Sequence, residues 1–302
     1  MESSTLPSQV GTNWELRAPL CLSHQNKTMS AIQGSPSSSS WLSLWRHRDL
    51  LLQFTRRQIE GRHKGSLLGF GWSILNPLLM LGIYTFVFSV IFPGHFTNQP
   101  DQGPKEYALT VFIGLACFHL LVDSFVIAPS LIVTNTNFVK KVVFPLEILP
   151  AAAVGAAAFH FLIISALFFL GALILGVHLT WTALWAPVII FPLLLISLGG
   201  AWLLSALGVF LRDLQQLVGF ASMVLMWASA IFFSPLRIPP EVWAFLKFNP
   251  LLRAIDLARQ TIMWGQQPSL AVLAYLYAFA FFTLIGGFLI FRKTRPAFAD
   301  VL

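Results

Sequence analysis

Long apolar stretches separated by short polar connections make up most of the chain. A helix rises 1.5 Å per residue, so about 20 apolar residues cross the hydrocarbon core of a membrane. Unbroken runs of this length indicate helices, because the strands of a membrane barrel alternate apolar and polar positions. The pattern predicts an all-α integral membrane protein with six transmembrane helices, at 72–92, 107–129, 149–177, 184–210, 217–233 and 270–291.

The segment before the first predicted span is basic and amphipathic. Placed on a helix at 100° per residue, residues 41–60 separate an apolar face from a charged face. Such a helix lies in the membrane interface, where the Trp ring is in an apolar region and its N–H stays in water. The apolar face holds Trp41, Leu44, Trp45, Leu51, Leu52 and Ile59, and is interrupted by Arg48 and Thr55.

The basic residues of this segment have two explanations. One is a topology anchor that obeys the positive-inside rule. The other is a helix that binds an anionic lipid headgroup or a lipid-linked substrate at the cytoplasmic surface, since Arg and Lys both bind phosphate. The candidate headgroup residues are Arg56, Arg57, Arg62 and Lys64.

The chain therefore divides into three predicted regions. Residues 1–40 are polar and Ser-rich, which predicts a disordered tail, and they lack the basic start and apolar core of a signal peptide. Residues 41–66 form the interface helix. Residues 67–302 form the transmembrane domain.

Basic residues in the connections predict the orientation. They precede the first span, occur as Lys140 and Lys141 after the second, and follow the sixth as Arg292, Lys293 and Arg295. By the positive-inside rule, both termini are cytoplasmic.

The connection at 234–269 then lies on the external side. It holds two apolar stretches that are too short to span a membrane, and Pro235, Pro239, Pro240 and Pro250 interrupt them. Segments of this length are interfacial or re-entrant, and their backbone must be buried in protein or line a cavity. The pattern predicts an external re-entrant helical hairpin.

Composition agrees with the membrane class. The chain has 302 residues, of which 56% are apolar and only 10% charged, whereas soluble domains are about 25% charged. The net charge of +7 comes mostly from the basic cytoplasmic segments, so it does not indicate nucleic-acid binding. Cys21 and Cys117 form neither metal-site spacing nor a disulfide framework.

The sequence contains no recognisable catalytic constellation. It lacks the Gly-x4-Gly-Lys-Ser/Thr phosphate loop and any metal-site spacing, so we expect no catalytic residue, no metal and no cofactor on this chain. His119 and Asp123 share one face of the second span, which leaves a proton relay open. A charge at the bilayer centre costs about 2.5–3.5 kcal/mol, so Asp123 should face a partner helix or a wet path, or lie near the helix end. His160 and His178 are interpreted as interfacial or packed.

Aromatic residues are frequent in the predicted spans, with 28 Phe and 10 Trp in the chain. They either face lipid and pack the bundle or stack against sugar rings along a path. A mixed aromatic and small polar wall in the first and fifth spans suits carbohydrate better than an ion filter. The candidate path residues are Trp72, Tyr84, Phe88, Phe220, Trp227, Ser222 and Ser229.

Four motifs are spread from about residue 42 to the C-terminal region. They are Arg62-His63-Lys64 with Ser66–Gly69 and Trp72–Pro77; Lys140–Pro145; Arg212-Asp213; and Ser234-Pro235 with Asn249-Pro250 and Arg259. In this order they resemble the membrane (permease) subunit of type-2 ABC exporters, in the polysaccharide and O-antigen export branch.

The resemblance implies a homodimer of this chain with two copies of a separate subunit that binds ATP and Mg. Such permeases move undecaprenyl-diphosphate-linked glycan outward across the bacterial inner membrane, and the helix at 41–60 would help to admit it. The segment that couples to the ATPase would contain Asn137, Phe138, Lys140, Lys141, Phe144 and Glu147. An external gate would contain Phe232, Phe233, Trp243, Phe248, Asn249, Pro250 and Arg253.

Three alternatives remain open at this point. Another type-2 exporter would carry teichoic acid, a glycolipid or a drug. A membrane enzyme acting on polyprenyl lipids would need clustered acids or histidines within or beside the membrane. An ion channel would need a selectivity filter, and none is visible in the sequence.

Overall fold

The computed structural model describes residues 47–62, 65–87, 91, 103–140, 144–177 and 179–302. Over these residues all regular structure is helical. The predictions for the tail at 1–40 and for Trp41, Lys64, Phe88, Lys141 and His178 fall outside them. The α-helices are α1 (Arg48–Gly61), α2 (Trp72–Phe86), α3 (Pro104–Leu131), α4 (Thr136–Lys140), α5 (Ile148–Leu175), α6 (Ala186–Phe210), α7 (Leu214–Ala228), α8 (Pro240–Leu246), α9 (Pro250–Ile262), α10 (Leu270–Thr294) and α11 (Phe298–Val301).

Four helical segments are long and apolar enough to cross a membrane: Lys105–Leu131, Ile148–Leu175, Trp181–Phe210 and Leu270–Val301. Helices α2 and α7 are apolar but shorter, with 15 residues each. The helical membrane class predicted from the sequence is therefore confirmed. The count of six spans stays a prediction.

Helix α7 ends earlier than the apolar pattern predicts. The predicted span runs to residue 233, but the helix ends at Ala228, and Ala230 has a left-handed φ of 49°. Hydropathy does not detect this break because Ile231, Phe232 and Phe233 continue the apolar run. The buried Ala230 carbonyl, which the break leaves without a partner in α7, is bonded from another helix, since Nη1 of Arg259 in α9 donates to it at 2.8 Å.

The long helices pack through small residues. A Cβ added to Gly199 of α6 would collide with the Thr283 carbonyl of α10, and one added to Gly287 of α10 would collide with the Gly199 carbonyl. Between α3 and α6, the hydroxyls of Ser124 and Ser197 are 2.7 Å apart. Small and hydroxyl side chains bring membrane helices into backbone contact. The result is a close-packed frame of α3, α6 and α10, with α5 beside α3.

The amphipathic helix α1 lies against α5. Thr55, which the sequence pattern treats as an interruption of the apolar face, packs against Gly155, whose added Cβ would be 2.7 Å from the Thr55 hydroxyl. Leu52, predicted on the apolar face, is exposed. The contact face of α1 is therefore rotated toward Phe54 and Thr55, because the face is set by α5 rather than by hydropathy alone.

Two short helices, α8 and α9, lie in the connection at 234–269. The external re-entrant hairpin predicted there stays a prediction. Asn249 caps α9 by accepting bonds from the backbone N–H groups of Leu251 and Leu252 at 3.0 and 3.4 Å. Most of α9 is buried against α3, α6 and α10. Phe245 of α8 remains exposed.

Candidate functional site

Four ionisable side chains meet where α1 ends against α3 and α5. The Asp123 carboxylate accepts a bond from Arg62 Nη1 at 2.7 Å. His119 Nδ1 lies 3.1 Å from its Oδ1, and His160 Nδ1 lies 3.0 Å from its Oδ2. We call Arg62, His119, Asp123 and His160 the Asp123 cluster. Its geometry joins the amphipathic helix to two membrane helices through one carboxylate.

A cavity of about 290 Å³ opens beside the Asp123 cluster. One part of its wall is polar and the rest is apolar. The polar lining residues are Arg62, Ser73, Asn76 and His160, and the others are Ile59, Trp72, Ala156, Phe159 and Ile163. A wall of this mixed kind suits a ligand that carries both a charged group and a hydrocarbon part.

Three residues of the Asp123 cluster lie within candidate membrane-spanning helices, His119 and Asp123 in Lys105–Leu131 and His160 in Ile148–Leu175. Asp123 precedes the end of α3 at Leu131 by eight residues, which is about 12 Å along the helix axis. A carboxylate there is stable only with a partner, and Arg62 supplies the opposite charge. Ionisable residues inside membrane segments mark substrate paths or relays by default.

No metal centre is formed by the part of the chain that the structure describes. In the Asp123 cluster, each imidazole directs Nδ1 to the carboxylate itself. The groups are therefore arranged as a hydrogen-bonded ion-pair network, and its chemistry is that of anion recognition or proton exchange.

Among the predicted headgroup residues that the structure describes, Arg62 is the one that lines the cavity. Arg56 donates to Glu60 at 2.7 Å on the exposed side of α1. The Arg57 guanidinium lies 5.9 Å from the centre of the Phe54 ring. The structure therefore separates three sequence candidates that looked equivalent, while the fourth, Lys64, lies outside the described residues.

The sequence predicted part of the Asp123 cluster. His119 and Asp123 do share a face, and Asp123 does face partner helices. His160 is a packed residue, with 17% of its side chain exposed, and its contact with Asp123 across 37 positions of sequence is a partner that the sequence did not show. The sequence feature that points to the cluster is the free-energy cost of placing a histidine and an aspartate within otherwise uncharged spans.

The similarity to known proteins extends over most of the chain. The model of the family described as "ABC-2 type transporter" matches residues 49–263. The chain belongs to the ABC-2 transporter family. This membership confirms the resemblance predicted from the sequence, and it indicates that the chain is an integral membrane component of a transporter.

Curated relatives of this ABC-2 chain are polysaccharide exporters by name. The O-antigen export system permease protein RfbA of Klebsiella pneumoniae is 28% identical over 255 residues, covering 84% of this chain and 95% of that protein. RfbA of Myxococcus xanthus is 26% identical, with coverage of 85% and 96%. The polysialic acid transport protein KpsM of Escherichia coli is 26% identical, with coverage of 80% and 92%.

The predicted path residues of this ABC-2 chain separate into two groups. Trp72 lines the cavity, and the Tyr84 ring centre lies 4.5 Å from that of Phe232. Phe220 and Trp227 project from α7 as exposed rings. The prediction for the two serines is corrected: Ser222 and Ser229 are buried and donate to carbonyls one turn earlier on their own helix, at 2.7 Å.

The predicted coupling segment also separates into exposed and internal residues. Asn137 and Lys140 are exposed on α4. Phe138 and Phe144 contact each other with ring centres 4.9 Å apart, and Phe54 of α1 lies against both at 5.5 and 5.2 Å.

Glu147 is an internal residue and not a surface contact, which corrects its assignment. It is 1% exposed, and Arg295 Nη1 donates to its carboxylate at 2.8 Å. The carbonyl of Glu147 also accepts a bond from Trp202 Nε1 at 3.1 Å. Glu147 therefore joins the start of α5 to α6 and to the end of α10.

The residues predicted for the external gate lie around the hairpin. Phe232 is buried, and its carbonyl accepts a bond from the Tyr107 hydroxyl at 2.8 Å. Asn249 Nδ2 donates to the Ala228 carbonyl and to Ser229, which joins α9 to the end of α7. The remaining predicted residues are the half-buried Phe233, Trp243 and Pro250, the exposed Phe248, and Arg253, whose guanidinium lies 5.0 Å from the Trp243 ring centre.

Arg259 is a key residue that the site prediction omitted. It is 1% exposed and donates to three backbone carbonyls, through Nε to Thr110 at 3.0 Å, Nη1 to Ala230 and Nη2 to Ile231. These bonds join α9, α3 and the break after α7. The sequence feature that could have identified Arg259 is a basic residue within an otherwise apolar stretch of residues 234–269.

Proposed function

We propose that this chain is the permease subunit of an ATP-driven exporter that moves lipid-linked polysaccharide outward across a bacterial inner membrane. The observation that carries the proposal is the match to O-antigen export permeases over 95% of their length. The amphipathic cavity beside Arg62 and Asp123 supports it, because a lipid-linked glycan with a diphosphate presents hydrocarbon and negative charge together.

The proposed architecture has six spans, cytoplasmic termini and an external re-entrant hairpin, with α2 and α7 as the first and fifth spans. Two copies of the chain form the working permease. The apolar side chains exposed on α2 and α7, such as Ile83, Phe86, Phe220 and Trp227, would contact lipid or the second copy of the chain. The glycan path runs beside these two helices.

ATP and Mg bind to a separate subunit in this proposal, two copies of which complete the transporter. Asn137 and Lys140 are exposed on α4 and form the docking face for that subunit. Phe54, Phe138 and Phe144 connect this face to α1. This aromatic contact would transmit movement of the ATPase to the helix that carries Arg62.

Deletion of the gene in its host tests the proposed substrate. We expect loss of a surface polysaccharide and accumulation of polyprenyl-linked glycan on the cytoplasmic side of the inner membrane, both restored by the wild-type gene. Accumulation of teichoic acid or of another lipid instead would reject the polysaccharide assignment. Normal surface glycan in the deletion strain would reject it entirely.

The second candidate, a polyprenyl-lipid enzyme, is favoured by one observation. The Asp123 cluster supplies the clustered acid and histidines that such an enzyme needs. The transport proposal predicts that the purified chain neither hydrolyses ATP alone nor releases phosphate from farnesyl diphosphate. Release of phosphate, abolished by Asp123→Asn, would favour the enzyme.

A further inference from the structure

We propose that the cavity lined by Arg62, Ser73, Asn76 and His160 binds a phosphate group of the lipid-linked substrate, and that Asp123 holds Arg62 while the cavity is empty. On binding, Arg62 exchanges the Asp123 carboxylate for the phosphate. The inference rests on the proposed function and names the residues that recognise the substrate headgroup.

Arg62 has bonding capacity left for a ligand. Within the described part of the chain, it donates to Asp123 through Nη1 alone, whereas a guanidinium carries five N–H donors. Arg62 is also one of the residues that line the cavity. A phosphate can accept two parallel bonds from that fork, which the single contact with Asp123 does not use.

Asp123 can release Arg62 without becoming an isolated buried charge. His119 and His160 contact different oxygens of the carboxylate at 3.1 and 3.0 Å. After Arg62 turns to the ligand, these two imidazoles still bond the carboxylate. A carboxylate with one arginine as its sole partner would resist this exchange, because removing that partner leaves an unpaired charge.

The cavity walls match an isoprenoid phosphate. Its polar lining residues are Arg62, Ser73, Asn76 and His160, of which Arg62 and His160 belong to the Asp123 cluster, and Trp72, Phe159 and Ile163 provide apolar surface for the adjoining hydrocarbon. The volume of about 290 Å³ is many times the roughly 10–15 Å³ that a cavity needs to hold one water molecule. Because the wall is partly apolar, it fits a phosphate ester better than a bare anion.

Binding of radiolabelled farnesyl diphosphate to the purified full chain tests the exchange. Arg62→Gln should weaken binding by about tenfold to hundredfold, the value of a hydrogen bond to a charged group. Asp123→Asn should strengthen binding severalfold, because it removes the anion that competes for Arg62. A gain in affinity cannot result from misfolding. The matched control is Arg57→Gln, on the same helix but away from the cavity, and it should bind like the wild type.

The double variant Arg62→Gln/Asp123→Asn tests whether Asp123 acts through Arg62. The gain caused by Asp123→Asn should vanish when Arg62 is absent. Weaker binding by Asp123→Asn, or an equal gain with and without Arg62, would overturn the exchange. If Asp123→Asn does not fold, a structure of the wild-type chain with farnesyl diphosphate decides: Arg62 must contact phosphate and have left Asp123, and an intact pair overturns the proposal.

Competition identifies the source of the phosphate. Unlabelled farnesyl diphosphate should displace the label, while farnesol, inorganic pyrophosphate and phosphatidylglycerol vesicles should compete poorly. Equal competition by phosphatidylglycerol would make this a structural lipid site and overturn the substrate assignment. These results are independent of the gene deletion, which tests glycan export whether or not this cavity recognises the phosphate.

Discussion

Two arginines in this molecule are held in opposite ways. Arg259 is 1% exposed and uses three nitrogens on three backbone carbonyls. Arg62 keeps a quarter of its side chain exposed (27%), lies beside a cavity and makes one bond, to a carboxylate. Backbone carbonyls are part of the main chain and cannot be exchanged for another group. A carboxylate, in contrast, can be replaced at an arginine by another anion.

The difference shows how burial separates a structural cation from a functional one. Arg259 joins α9 to α3 and to the break after α7, and Gly114 leaves the space that its guanidinium occupies. Arg62 instead has a partner that two histidines also bond. Variants at the first arginine should therefore change stability, and variants at the second should change transport.

The largest effect is expected from Arg259→Met. It leaves three buried carbonyls without their donor, which should lower the free energy of unfolding by about 3 kcal/mol or more. Arg253→Met is the matched control, because Arg253 donates to one carbonyl and stacks on Trp243, and should cost about 1 kcal/mol. Thermal unfolding in detergent measures both, and equal stability of the two variants would refute the structural role of Arg259.

Displacing α1 should change the position of Arg62 without substituting that residue. In Gly155→Ala the new Cβ would be 2.7 Å from the Thr55 hydroxyl and 3.0 Å from its methyl. We expect farnesyl diphosphate binding and glycan export to fall severalfold. Thr55→Ala removes both clashing atoms, so the double variant Gly155→Ala/Thr55→Ala should recover farnesyl diphosphate binding and glycan export. A double variant no better than Gly155→Ala would show that the position of α1 is not what matters.

A smaller, purely functional effect is expected at the exposed Lys140 of α4. Lys140→Glu should reduce export severalfold while folding and farnesyl diphosphate binding stay normal, because it alters the proposed docking face and not the cavity. Lys293→Glu, an exposed basic residue on α10, is the control. ATP turnover and export by the assembled transporter measure the effect, and equal loss in both variants would indicate a general charge effect instead.

Hydropathy predicted the long helices because continuous apolar runs and helix length are local properties. The end of α7 could not be predicted that way, since its break at Ala230 lies within an apolar run and is held by Arg259, 29 residues later. The contact between His119 and Asp123 follows from helical spacing. The contacts of Asp123 with Arg62 and His160 span 61 and 37 positions and depend on helix packing.

The family could be predicted from the sequence better than the individual site residues, because the site residues depend on helix packing. Motif order was sufficient for the family, because the motifs extend along most of the chain. Choosing Arg62 from among the basic residues of α1 required the packing of α1 on α5, which turns Arg62 toward α3 while Arg56 stays exposed. Glu147 looked like a docking residue until its ion pair with Arg295, 148 positions away, was seen.

Export by arginine-to-lysine variants tests the central claim most directly. Lysine keeps the charge, and with it the topology, but removes the bidentate fork. Arg62→Lys should reduce glycan export by about tenfold, with normal membrane insertion and dimer assembly. Arg56→Lys and Arg57→Lys should export like the wild type, because neither side chain reaches the cavity. Wild-type export by Arg62→Lys, or equal loss in all three variants, would contradict the claim that Arg62 binds the substrate phosphate.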